Sequence, residues 1–366
     1  MADWDPLDPT YHLDEPVGRG AMFERVLDTL EPLFDGELPP NCVVEGGAGA
    51  GKSAMLSALL SKLNDHFDES RTRRYTATRH GGTKDRPRFA YVDRHRATTR
   101  HKLYLRILEF VSDESVPNRG LGTDALETRI RDELAGSRGV VVVLDHVDES
   151  ASVDEGLEHV LGGFDNVAWV VVVRSHDRRL RPLRTASHIQ IPPYRTHELV
   201  DLLTARANSG LTTGLTHSQA RRVAEWADGD AHDAVAGLHA ATLVARDAGH
   251  TRIHDADIEV GTKQVPREGV SLGRVLALRE NHQQVLSTLL RLDDRQRLTV
   301  EAASDAVAAQ TPLSRTTVRR YLYELLDTNV LKRGAHEMNR TNGGEPPNRL
   351  APNFAAVVFE SLRERR

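Results

Sequence analysis

Residues 46–53 read Gly46, Gly47, Ala48, Gly49, Ala50, Gly51, Lys52 and Ser53, the spacing G-x-x-x-x-G-K-S. Glycine tolerates the backbone angles that turn successive N–H groups inward, and such a ring of donors cradles phosphate oxygens. Lys52 would neutralise the β- and γ-phosphates of a nucleotide, and Ser53 would offer its hydroxyl to Mg²⁺. The ligand implied is a nucleoside triphosphate, ATP with Mg²⁺. A flexible glycine loop is the competing reading of the string alone, so its setting has to decide.

A second group lies in GVVVVLDHVD, residues 139–148. Four valines and a leucine make a run that is apolar on both faces, as in a central strand of a parallel sheet. Asp145 stands at its carboxyl end, where open α/β sheets bind ligands, and from there it would hold a Mg²⁺-bound water, the Walker-B role. A plain core strand ending in a turn aspartate would look the same without the glycine loop upstream.

The elements around these motifs come in the order needed to position them. Met22, Phe23, Val26, Leu27, Leu30, Leu33 and Phe34 recur at helical spacing. DGELPPN breaks that helix, Cys42 to Val44 is a short apolar strand, and the glycine loop follows at once. Residues 54–67 then carry a strong helical pattern whose N-terminal dipole would face the phosphates. Further strands at 89–93, 168–173 and 189–191 alternate with helices through Leu103 to Val111 and through 123–135. Five strands and their right-handed crossovers predict a three-layer α/β sandwich over residues 1–194.

A chain of 366 residues with 39% hydrophobic content has material for two or three cores. It contains no run of about eighteen apolar residues, and its first residues lack a basic segment followed by an apolar one. The expectation is a cytoplasmic protein with no membrane partner. Cys42 is the single cysteine, which excludes an intrachain disulfide framework and a thiolate metal cluster. The net charge of −5 opposes nucleic acid as a partner only if charge is spread evenly. Screening over about 8–10 Å makes local clustering the relevant quantity.

Residues 195–267 read as a helical lid domain, ending in the linker GTKQVPREG. From 268 to 366 the pattern becomes helix (276–290), helix (300–309), the turn TPLS, helix (315–329), then a strand and a hairpin turning at Asn342, Gly343 and Gly344. That is winged-helix order. Ser314 can cap the third helix, Val318, Leu322, Leu325 and Leu326 would face its core, and Arg315, Thr316, Arg319 and Arg320 would project as a recognition helix requires. Within 311–340, six basic residues (Arg315, Arg319, Arg320, Lys332, Arg333 and Arg340) outweigh three acidic ones. Guanidinium groups there could bond DNA phosphates and guanine edges; winged helices also serve as protein–protein modules, and that alternative stays open. The basic stretch at 71–88 is either a DNA contact or a solvated insertion.

Taken in order, these motifs resemble the archaeal origin recognition complex and cell-division-control type of AAA+ replication initiator. The likeness runs through Arg19 of VGR, the glycine loop, FAYVDRHRATTRHKLYLRIL, LDHVD, IQIPPYRTHELVDLLTARA and WADGDAHDAV. It implies an AAA+ nucleotide-binding base, a helical lid and a C-terminal winged helix. It also places Tyr194 at the nucleotide. Three positions depart from the family pattern: His146 stands for the activating glutamate, His176 for the sensor-1 asparagine and His232 for the lid arginine. An imidazole can accept a proton, but its reach differs from a carboxylate's and its charge is part-time. Neutral drift in a chain with 17 histidines is the competing explanation. Arg181 and Arg184 are candidates for an arginine finger acting on a neighbouring subunit.

The resemblance implies an initiator that recognises double-stranded origin DNA, helps recruit the replicative helicase and works beside paralogous initiators. ATP would act as a conformational ligand with weak or absent hydrolysis. The alternative is a degenerate AAA+ or signalling-type NTPase whose winged helix regulates transcription.

Overall fold

The computed structural model describes residues 3–13, 15–75, 87–112, 115–117, 120–135, 139–147, 160, 162–174, 186–335 and 348–365. Packing divides the chain into two compact units. One comprises His12–Leu202 and Gly229–Ala231, the other Met1–Tyr11, Leu203–Asp228 and His232–Arg366.

The first unit contains α1 (Gly20–Thr29), β1 (Cys42–Glu45), α2 (Lys52–Tyr75), β2 (Arg88–Asp93), α3 (Arg100–Val111), α4 (Thr123–Leu134), β3 (Val140–Asp145), β4 (Val167–Val173) and β5 (Ser187–Gln190). The strands pair in parallel in the order β2-β3-β4-β1-β5. Every residue of β3 and β4 is buried. A parallel sheet is covered on both faces, which is why these strands are runs of valine rather than alternations. Val140, Val142 and Leu144 pack with Leu103, Ile107, Leu126 and Ile130 of α3 and α4. Val141 and Val143 pack on the opposite face with Val26 of α1 and Met55, Leu56 and Leu59 of α2. The predicted three layers are therefore present. Cys42 is fully buried, and burial pushes its thiol up to about 12, so it is inert.

The helix expected to run to Phe34 stops earlier. α1 ends at Thr29 and a 3-10 turn, Glu31–Asp35, continues to Gly36 at φ +81°. Pro32 has no N–H to continue the α-helical ladder.

The second unit holds most of α5 (Thr196–Gly210), α6 (His217–Ala227), nearly all of α7 (Ala231–Asp247), α8 (Asp255–Lys263), α9 (Leu272–Leu276), α10 (Glu280–Leu290), α11 (Val300–Ala308), α12 (Arg315–Asp327), the antiparallel hairpin β6 (Leu331–Ala335) and β7 (Asn348–Pro352), and α13 (Ala356–Arg363). Three helices followed by a hairpin match the predicted winged-helix order. One core joins Ala236, Ala240 and Val265 to Leu272, Val318, Leu322 and Phe354, spanning the linker expected near 261–269. Instead of one helix from 276 to 290 there are two, and Gln283 Nε2 donates to the freed carbonyls of Leu276 (3.0 Å) and Leu278 (2.8 Å) at the break. Arg206 ties the acidic N-terminal segment down by donating to the carbonyls of Pro6, Asp8 and Tyr11 at 2.8–3.1 Å. No helix among the described residues is long and apolar enough to cross a membrane.

Candidate functional site

The glycine loop joins the end of β1 to the start of α2. The Gly46 N–H donates to the Val173 carbonyl (3.2 Å), fixing the loop's origin to β4. Gly49 and Gly51 have left-handed φ values of +59° and +82°. Both also have side chains close by: a Cβ on Gly49 would displace the Asp230 carboxylate, and one on Gly51 would lie 2.6 Å from the Tyr194 hydroxyl. Gly47 and Ala48 are exposed at the tip, while Ala50 is buried. Lys52 Nζ donates to the carbonyls of Gly46 (2.6 Å) and Gly47 (2.7 Å). Its ammonium thus lies on the rim of the loop, where phosphate oxygens can take the place of carbonyls as acceptors.

Arg19 and Tyr194 brace the loop from beneath. The Arg19 guanidinium, 2% exposed, lies 3.5 Å over the Tyr194 ring. It donates through Nε to the Ala50 carbonyl (3.0 Å) and through Nη2 to the Pro192 carbonyl (3.0 Å), and stands 3.8 Å from Glu198. The structure so brings Tyr194 to the glycine loop. The bracing role of Arg19 had no local signal: it is one arginine before a helix, and its hydrogen-bond acceptors lie 31 and 173 positions away.

Asp145, 1% exposed, accepts from the backbone N–H of His146 (2.8 Å) and from the hydroxyl of Tyr91. Tyr91 also shares a hydrogen bond with Ser53, so one phenol links the serine of the glycine loop to the strand-end aspartate. Burial, then the charge and hydrogen bond of Asp145, raise the Tyr91 phenol well above its ordinary value. A hydroxyl and a carboxylate joined through a single oxygen are a donor set that suits Mg²⁺, which takes hard oxygen ligands. Sequence reasoning missed Tyr91 because an aromatic residue in a strand reads as core.

His146 has φ +59°, a left-handed conformation that turns the chain as soon as β3 ends. Its Nδ1 lies 3.2 Å from Oδ1 of Asp93, the residue paired with Asp145 in the β2–β3 register. The His95 ring stacks on it with centroids 4.1 Å apart, and His95 Nδ1 is 3.3 Å from the same Asp93 oxygen. Burial by itself would raise the Asp93 carboxyl. The His146 hydrogen bond and the charges of His95 and His146 outweigh that and hold it below the usual carboxylate range.

His232, in the other unit, is occupied on both ring nitrogens. Nε2 accepts from the Leu272 N–H (3.0 Å) and Nδ1 lies 3.3 Å from Asp233. His176, Arg181 and Arg184 lie outside the described residues.

In the C-terminal unit Ser314 Oγ accepts from the Thr317 N–H (3.2 Å), capping α12 as expected. Val318, Tyr321, Leu322 and Leu325 are buried, whereas Arg315, Thr316, Arg319 and Arg320 are exposed along the outer face, and Lys332 and Arg333 are exposed on β6. Arg315 pairs with Asp305 (2.5 Å) and Arg320 with Glu324 (3.6 Å), while Arg319 has no acidic partner among the described residues. Arg340 and the expected turn at 342–344 lie outside the described residues, as do 76–86 of the upstream basic stretch.

Comparison with known proteins shows what these features resemble. A family model for the AAA ATPase domain matches residues 15–170. The chain is 26% identical over 326 residues to the ORC1-type DNA replication protein 9 of Halobacterium salinarum, covering 86% of this chain and 85% of that one. It is 25% identical to the ORC1-type DNA replication protein 8 of the same organism, covering 94% and 90%. Among solved structures, the ORC1 protein of Aeropyrum pernix in complex with DNA has the same fold, with a TM-score of 0.64 at 22% identity over 98% of this chain and 94% of that one. Residues 15–170 thus match the AAA ATPase domain, and along most of its length the chain is similar to ORC1-type DNA replication proteins of archaea and shares the fold of one of them.

Proposed function

We propose that this chain is a replication initiator that binds double-stranded origin DNA in an ATP-dependent state, with ATP serving as a conformational ligand that is hydrolysed slowly or not at all. The observation that carries the reading is an imbalance around the nucleotide. The groups for holding a triphosphate and Mg²⁺ are complete: Gly49 and Gly51 in left-handed geometry, Lys52 on the loop rim, and Ser53 joined to Asp145. The groups for spending it are not: His146 stands where the family has its activating glutamate, and its Nδ1 faces Asp93. His232, at the lid arginine position, is engaged by Leu272 and Asp233.

A ligand of this kind shifts an equilibrium only by its difference in affinity for the two states, and rapid catalysis is unnecessary. The exposed arginines of α12 and the basic residues of β6 supply the duplex-binding surface in this reading. The ORC1 protein of Aeropyrum pernix has been solved on DNA, which supports the same partner here. The reading extends to recruitment of the replicative helicase and association with paralogous initiators, which the resemblance to ORC1-type DNA replication proteins supports. The test is footprinting on a genomic fragment library with and without ATP. ATP-dependent protection of a small set of repeated elements is expected; protection indifferent to ATP overturns the switch.

A further inference from the structure

Asp93, His95 and His146 bring one carboxylate oxygen and two imidazole nitrogens together at the carboxyl ends of β2 and β3, and we propose that they bind a divalent metal of the zinc class, beside the expected Mg²⁺ ligands Ser53 and Asp145, whose carboxylate lies 3.8 Å from the His146 Nδ1. The three ligand atoms all lie within 4.8 Å of one another. Nδ1 of His146 and Nδ1 of His95 stand 3.2 and 3.3 Å from the same oxygen, Oδ1 of Asp93. Tetrahedral Zn²⁺ with bonds of about 2.0–2.1 Å holds its ligand atoms roughly 3.3 Å apart. Two of the three edges of the site therefore already have the required length.

The crowding on that oxygen favours a cation over a plain hydrogen-bonded cluster. Oδ1 of Asp93 accepts the His95 backbone N–H (2.9 Å) and is also approached by both imidazoles. With both Nδ1 atoms protonated, three donors would converge on an oxygen that has two lone-pair directions. A metal relieves this: the backbone bond stays, and the two ring nitrogens turn from donors into lone-pair ligands.

The third edge closes by rotation of the His146 ring, which is a quarter exposed and stacked on His95 at 27°. The left-handed backbone at His146 keeps its side chain on the β2 side of the strand ends, a strained conformation of the kind that persists where surrounding structure over-determines it. Two nitrogens and one oxygen suit zinc, which commonly takes three protein ligands and leaves a fourth position for water or an anionic oxygen. Mg²⁺ prefers oxygen alone. The partial exposure of Asp93 and His146 leaves that fourth position open to solvent.

The test is a Co²⁺ titration of the untagged, nucleotide-free full chain, read by visible absorption. One equivalent should bind with the intense bands of four-coordinate cobalt, displaced by Zn²⁺ and not by a large excess of Mg²⁺. Asp93→Asn and His95→Gln should each weaken binding by more than about 100-fold, beyond the cost of losing an outer-shell partner. Circular dichroism and ATP affinity serve as controls for folding. His146→Cys should keep the metal and add a sulfur-to-cobalt charge-transfer band in the near ultraviolet. Absence of stoichiometric binding, affinity unchanged in His95→Gln and Asp93→Asn, or a folded His146→Cys protein without the new band overturns the site.

Discussion

The hydroxyl of Tyr91 donates to the carboxylate of Asp145, and the same oxygen is hydrogen-bonded to Ser53. Mg²⁺ that engages Ser53 and Asp145 has to compete with this phenol. Tyr91→Phe removes the competitor, a hydrogen bond to a charged group worth about 1.5–3 kcal/mol. The gain in ATP affinity on adding Mg²⁺ should therefore grow by roughly tenfold or more in the variant, measured by calorimetry with and without the metal. An unchanged Mg²⁺ increment would show that the phenol does not stand in the metal's way.

Lys52 Nζ lies on the rim of the glycine loop, held by two of its carbonyls. Lys52→Ala deletes the charge that meets the β- and γ-phosphates. ATP affinity should fall by at least about 100-fold, the equivalent of roughly 3 kcal/mol of charge-assisted bonding. Wild-type affinity in the variant would remove the loop from nucleotide binding.

Restoring a glutamate at position 146 places it against Asp93, whose carboxylate already faces that side chain. Two carboxylates so close repel one another. His146→Glu by itself should then gain little hydrolysis, whereas His146→Glu combined with Asp93→Asn should hydrolyse ATP faster in single-turnover assays, by at least about tenfold. If the double variant is as slow as wild type, the missing glutamate is not what limits turnover.

Arg319 and Arg320 lie on the exposed face of α12. Each phosphate neutralised contributes about 0.9 to the slope of log affinity against log salt. Changing both to alanine should weaken duplex binding and flatten that slope by about 2. A slope identical to wild type would take this helix off the DNA.

His239 is fully buried, its Nδ1 3.0 Å from the Leu7 carbonyl and its Nε2 3.2 Å from the Ser361 hydroxyl. Burial lowers its pKa from 6.5 to about 4. Because the folded-state value lies below the unfolded one, the unfolded chain takes the proton first. The contribution is complete above pH 6.5 and is lost as pH falls toward 4, amounting to about 2 kcal/mol by pH 5. Urea midpoints at pH 7.5 and pH 5 should show this loss in the wild type and a correspondingly smaller one in His239→Gln.

Local order along the chain was enough to determine several features of this protein. Period and composition specified the buried strands of valine, the glycine loop that precedes α2, Asp145 at the end of β3, and the capped α12 with its arginines opposite Val318 and Leu322. Each of these follows from neighbours within one or two turns, so the pattern is visible without a fold. Tertiary structure alone decided which distant residues complete the site. Arg19 meets Ala50 and Tyr194, Tyr91 joins Ser53 to Asp145, and Asp93 and His95 converge with His146, because parallel strands far apart in sequence end side by side. The same reason hid the core shared by Ala240 and Phe354: packing partners chosen across long separations leave no periodic trace in the sequence.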